Sequence, residues 1–269
     1  MTNYKNYFGF TKEPFPQDIR IEDLYPLPGL EALLDRFLFA VKLSAAAVIT
    51  GDVGSGKSTS LRYACSKLHP SEFKIIPVIA NSGTVLEMFR QIVLSLATEI
   101  KANSITKVTK VIRSLILEIA ARKEKPVLVI DEAHLARLEV FAQIHVLSQF
   151  EFDSKPVMPV IFSGQRNLID KLLYHTSRPL ASRVVGKTHL EGLKLKDMTG
   201  YINHHLEIAG VKDRLFSDEA VLAIHQGSGG LLRRANALAR GSMVAAAKEK
   251  CSLVTAEHAR LAATELLDS

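Results

Sequence analysis

The chain has 269 residues, 47% of them hydrophobic and 23% charged, with a formal net charge of +6. That balance excludes a disordered chain and supplies enough apolar surface for one large or two smaller folded domains. No apolar run reaches the ~18–20 residues of a bilayer span, and the first residues lack the apolar core of a signal peptide. The expectation is a cytoplasmic protein with no membrane insertion. Cys65 and Cys251 fall in no metal or redox spacing and read as free buried thiols. The charge admits DNA or RNA as a partner without requiring one.

Residues 1–28 are rich in aromatics and prolines and read as an ordered, irregular arm packed on a domain. Gly29 to Leu43 places Leu30, Leu33, Leu34, Phe37, Leu38 and Val41 at helical spacing. Ala45 to Thr50 is a short apolar run suited to a buried strand, and Lys57 to Leu68 a helix stopped near Pro70. Lys74 to Ala80 is a second strand, which Pro77 confines toward a sheet edge. Thr84 to Glu99 and Thr106 to Arg122 are amphipathic helices. Pro126 to Ile130 is a buried strand, Ala136 to Phe150 a helix, Pro159 to Ser163 a strand and Lys187 to Leu190 the last strand. Apolar strands alternating with helices predict an α/β fold with a parallel sheet covered on both faces. Beyond about residue 193 only helices follow: Lys196 to Ala209, Ser217 to Gln226, Leu231 to Lys248 and Thr255 to Leu267. Ser217 is a candidate N-cap. These signals divide the chain into an arm (1–28), an α/β core (29–192) and a helical C-terminal domain (193–269).

Between the first strand and its helix, Gly51-Asp52-Val53-Gly54-Ser55-Gly56-Lys57-Ser58 fits G-x-x-x-x-G-K-[ST] at every fixed position. A glycine loop that opens a helix aims backbone N–H groups and a positive dipole end at one anion. Gly51 through Ser58, with Thr59, are therefore the candidate triphosphate-binding residues. Lys57 reaches the β- and γ-phosphates and Ser58 holds Mg²⁺. Asp131 follows a buried strand and is the second candidate Mg²⁺ ligand; Glu132 beside it is the candidate general base for a water. His134 reads as a supporting or surface residue. At the end of the next strand Gln165, or else Ser163, can reach toward the γ-phosphate. Arg183, or else Arg178, can project into a neighbouring subunit's site, where a guanidinium stabilises phosphoryl-transfer charge; an intramolecular salt bridge is the competing reading. Arg233, after Gly229-Gly230, can fold back on the γ-phosphate.

These residues, in this order, resemble the AAA+ ATPases: a P-loop parallel-sheet core with a helical lid, ATP and Mg²⁺ as cofactors, and homo-oligomers with intersubunit ATP sites. Within them the chain is similar to the ExeA/GspA-like branch. Tyr7 to Phe15 resembles its FFGL..EPF opening, Gly164 to Leu168 its GQPEL, and Ser228 to Asn236 its GGIPRLIN. The resemblance implies that Arg183 is the arginine finger and Arg233 the second sensor. The chain departs from the pattern at Gln165-Arg166-Asn167 and at Leu232, where prolines are expected.

Secretion members of that branch carry a membrane helix and a peptidoglycan-binding region after the ATPase, and neither is seen in these residues. With the positive charge, that favours a likeness to the transposition helpers of the TniB, TnsC, MuB and IstB type. Those ATPases bind double-stranded DNA as ATP-dependent rings or filaments, select target DNA and recruit a transposase. Candidate DNA contacts are Lys101, Lys107, Lys110, Arg113 and Arg122; 110 and 113, and at times 107, share one helix face. The alternatives are an ATPase that acts on a protein partner in secretion or envelope assembly, and a nucleotide switch that barely turns over.

Overall fold

A computed structural model describes residues 4–98 and 101–266. They form two compact units, one of the described residues within 29–51 and 57–190, the other of those within 1–28, 52–56 and 191–269.

The first unit is built on a five-stranded parallel sheet in the order β2-β3-β4-β1-β5. The strands are β1 (Ala46–Gly51), β2 (Phe73–Ile79), β3 (Lys125–Asp131), β4 (Val160–Gly164) and β5 (Val184–Leu190). Pro77 is accommodated because β2 lies at an edge, where a missing ladder donor costs least. Period-two alternation supplies both faces of the core. Val48, Leu128, Ile130 and Phe162 pack on one side against Phe89 and Ile92 of α4 (Val85–Ser95), Ile112 and Ile116 of α5 (Ile105–Ala121), and Phe141 of α6 (Leu138–Ser148). Ala47, Ile49, Val127, Val129 and Ile161 pack on the other against Leu33 and Phe37 of α2 (Leu30–Leu43) and Leu61 of α3 (Lys57–Ser66). Each of these Val, Leu, Ile and Phe side chains contributes about 1.5–3 kcal/mol on burial. The start of α4 is fixed by a capping box between Thr84 and Glu87. The helix ends at Ser95, where Leu96 and the left-handed Ala97 turn the chain, short of the expected Glu99, which lies outside the described residues. Two short helices that the pattern did not announce follow β4: α7 (Leu168–Leu173) and α8 (Arg178–Ala181).

The second unit is helical. Here α1 (Tyr4–Phe8) precedes α9 (Leu195–Ile208), α10 (Asp218–Ser228), α11 (Leu232–Lys248) and α12 (Ala256–Thr264). The last helix ends at Thr264, short of the expected Leu267, which lies outside the described residues. The aromatic arm shares this unit's core: Phe10 and Phe15 are buried with Met198, Tyr201, Ile202 and Met243. Polar ties reinforce the packing. Glu13 pairs with Arg240 at 3.0 Å and accepts the Tyr4 hydroxyl, and His205 Nδ1 lies 2.8 Å from the Pro14 carbonyl. Ser217 caps α10 by accepting the Ala220 N–H. Among the described residues no helix is long and apolar enough to cross a membrane. Cys65 and Cys251 are free but half-buried, not buried.

Candidate functional site

β1 ends at Gly51 and α3 starts at Lys57, so residues 52–56 turn strand into helix. The turn needs glycine twice: Gly54 has φ +84° and Gly56 φ +93°. A Cβ on Gly54 would stand 2.9 Å from the Arg233 Cβ, and the Arg233 N–H donates to the Gly54 carbonyl at 3.2 Å. The Ser55 hydroxyl is buried and has no hydrogen-bond partner among the described residues. Lys57 is buried at 6% exposure on the first turn of α3. A glycine cradle, an unpartnered hydroxyl, a helix start and a buried ammonium fit a phosphate chain.

Asp131 closes β3 beside that helix start. Its Oδ2 accepts the Ser58 hydroxyl at 2.7 Å and its Oδ1 accepts the Glu132 N–H at 2.9 Å. A hydroxyl and a carboxylate in contact are hard oxygen donors, the set that Mg²⁺ takes. Glu132 has a left-handed backbone, φ +51° and ψ 29°, a conformation that costs a non-glycine residue of order 1–3 kcal/mol. It turns the half-exposed carboxylate toward His134, whose Nδ1 lies 3.4 Å from Glu132 Oε2.

His134 is not a surface residue. It is 6% exposed, accepts the Gln165 N–H at Nδ1 across 3.3 Å, and offers its carbonyl to Lys171. Burial holds the imidazole below its ordinary pKa; Lys57 and Lys171 add to the shift, while Glu132 and Asp131 oppose it. The structure thus brings Glu132, His134 and the end of β4 together. Gly164 makes this possible, because a Cβ there would meet the His134 backbone N at 3.1 Å and Nδ1 at 3.2 Å. Ser163 is fully buried within β4, its hydroxyl unpartnered among the described residues.

Other candidates are placed differently. Arg183 ion-pairs with Asp153 and donates to Ser148 Oγ at 3.1 Å, so in this chain its guanidinium is held within its own unit. Arg178 is exposed at the start of α8. Lys101, Lys107, Lys110 and Arg122 are exposed, whereas Arg113 is packed. The Arg113 guanidinium lies 4.4 Å from the Phe150 ring centre and donates to the Val146 and Leu147 carbonyls, which caps the end of α6. That internal role sets it apart from the two lysines on its helix face. Glu249, Cys251 and His258 also gather ligand atoms within 4.8 Å. There, however, His258 Nδ1 accepts the Thr255 N–H, so its Nε2 carries the proton, facing Glu249 at 3.1 Å, and has no lone pair for a metal.

The sheet order, the glycine loop and the acidic pair at the tip of β3 define the AAA+ P-loop α/β fold. Residues 42–173 match the family model described as AAA domain. The chain is similar to general secretion pathway protein A of Aeromonas hydrophila, at 27% identity over 245 residues. That match takes in 90% of this chain and 45% of the relative, so the chain spans less than half of the relative's length. Among solved structures the fold is similar to Cdc6p from Pyrobaculum aerophilum, with TM-score 0.76 and 15% identity over 94% of this chain and 70% of that one. It is also similar to the Aeropyrum pernix ORC1 protein solved in complex with DNA, with TM-score 0.70 and 16% identity over 94% and 68% of the two chains.

Proposed function

We propose that the chain is an ATPase that binds ATP with Mg²⁺ at residues 51–59, assembles with copies of itself, and works on double-stranded DNA. The observation that carries the reading is the contact of Ser58 with Asp131 at 2.7 Å, one residue after the invariant lysine of the phosphate-loop pattern. In this reading Lys57 and the loop N–H groups hold the phosphates. Ser58 and Asp131 hold Mg²⁺, which neutralises charge on the phosphate oxygens when bound. Glu132 takes a proton from the water that attacks the γ-phosphorus, the bond from that phosphorus to the ADP oxygen breaks, and phosphate leaves. Gln165 orients the γ-phosphate or the water. Arg183 acts on a neighbour's nucleotide once it leaves Asp153, and Arg233 senses the nucleotide in its own chain.

DNA as the working partner is supported by the net charge of +6, by the exposed Lys107 and Lys110 on α5, and by the fold shared with a protein solved on DNA. Selection of target DNA for a transposase is the specific role this suggests, and the cytoplasm is where it would act. A second reading, an ATPase driving a protein partner in secretion or envelope assembly, is favoured by the similarity to general secretion pathway protein A.

ATP turnover and assembly, followed with and without duplex DNA by phosphate release and negative-stain microscopy, separate the two. The DNA reading expects ATP-dependent assemblies on duplex whose affinity falls steeply with salt. Turnover and assembly indifferent to DNA overturn it in favour of the protein partner.

A further inference from the structure

Arg166 stands where the resembled motif has proline, and its side chain has a defined destination. Gly164, Thr50 and His189 are register neighbours across β4, β1 and β5. From the loop just after β4, Arg166 reaches over the end of β1 to His189 on β5, Nη2 to Nε2 at 3.0 Å. His189 Nδ1 lies 3.0 Å from Thr50 Oγ1, and Thr50 Oγ1 lies 3.4 Å from the Thr188 carbonyl.

The donors can be ordered without ambiguity. A guanidinium only donates, so His189 Nε2 accepts. The neutral ring then carries its proton on Nδ1 and donates it to Thr50 Oγ1. The threonine hydroxyl passes its own proton to the Thr188 carbonyl. Thr50 is 1% exposed and directly precedes Gly51, the first residue of the glycine loop. Arg166 directly follows Gln165, and the Gln165 N–H is held by His134 beside Glu132. One chain of bonds therefore joins the strand that delivers the phosphate loop to the loop that delivers the water-orienting side chain.

We infer that Arg166 is a positioning residue for phosphoryl transfer, which acts through His189 and Thr50 to lock the Gln165 loop in register with the base of the phosphate loop. The inference rests on the reading of residues 51–59 as an ATP site. It assigns Arg166 no contact with nucleotide. Its loss therefore misplaces catalytic groups and leaves ATP binding intact, which lowers kcat with little change in affinity.

The test uses the full chain with Arg166→Ala, His189→Ala, the double variant and Lys57→Ala. It reads kcat, the ATP dissociation constant by fluorescent-analogue displacement, and the thermal midpoint. The expected result is a fall in kcat on the order of tenfold in each single variant. ATP affinity should stay within about twofold of wild type, and the double variant should be no slower than the worse single one, as for residues in one unit. Wild-type kcat in Arg166→Ala, an equal loss of ATP affinity, or a double variant slowed by the product of the singles overturns the inference. Should Lys57→Ala keep wild-type turnover, the ATP site itself fails, a result distinguishable from loss of the Arg166 link alone. His189→Gln, which keeps an acceptor for Arg166, is expected to recover part of the kcat that His189→Ala loses.

Discussion

Glu132 Oε2 lies 3.4 Å from His134 Nδ1, and the residue that brings it there has left-handed backbone angles. In the reading proposed above Glu132 is the general base, held at the tip of the sheet on a strained backbone and beside an imidazole whose pKa burial lowers. Glu132→Gln keeps the shape and removes the basicity. Turnover is expected to fall by about 10²–10⁴-fold with ATP binding retained, so that ATP-bound assemblies accumulate. Phosphate release and nucleotide retention on the same sample check both halves of that outcome.

Gly54→Ala asks a side chain to adopt φ +84° and to stand 2.9 Å from the Arg233 Cβ. The backbone conformation alone costs ~1–2 kcal/mol. Lower stability by denaturant titration and weaker nucleotide binding are expected together, because one loop carries both.

His205 gives the chain a pH dependence with a definite sign. Burial pushes its imidazole down from 6.5 to about 4, against a smaller opposing contribution from the hydrogen bond to Pro14. The unfolded chain takes up that proton near pH 6.5 and the folded protein only near pH 4. Between those values the unfolded state binds more protons, so stability falls as pH drops through the window, by roughly 3 kcal/mol in total. The depressed His134 and His145 act in the same direction. Urea titrations at pH 7, 6, 5 and 4 should show the decline, and His205→Gln should flatten it.

Asp153 holds Arg183 in an ion pair. The ion pair is partly exposed, the arginine side chain at 25% and the aspartate at 48%, so it holds the guanidinium weakly. If Arg183 acts on a neighbouring subunit, Asp153→Asn frees it, and half-maximal specific activity should be reached at a protein concentration lower by roughly two- to fivefold. Arg183→Ala should abolish turnover at every concentration. A concentration dependence identical to wild type in Asp153→Asn would show that the pair does not restrain the arginine.

The central strands were legible because buried parallel strands read as short apolar runs, whereas the half-exposed edge strand β5 begins at Val184, three residues before the expected Lys187. Pro77 even marked the edge. The glycine turn between β1 and α3 and the placing of Asp131-Glu132 at the tip of β3 were legible because each is local in sequence. What stayed hidden is non-local. Arg113 has the spacing of a solvated helix face, and only the fold shows Phe150 beneath it. His134 follows Asp131 and Glu132 in a short segment with no periodicity of its own, and its burial comes from β4 through Gly164. Arg166 and His189 are separated by 23 residues, and Arg183 and Asp153 by 30. No periodicity links either pair. Helices α7 and α8 are too short to produce a pattern of their own.

The most direct test of the central claim is retention of radiolabelled ATP on a filter, with and without Mg²⁺, by wild type and by Lys57→Ala at equal folded concentration. Binding that needs Mg²⁺ and is lost in Lys57→Ala is the predicted result. Equal retention by the two proteins, or none by wild type, would contradict the assignment of residues 51–59 as a nucleotide site.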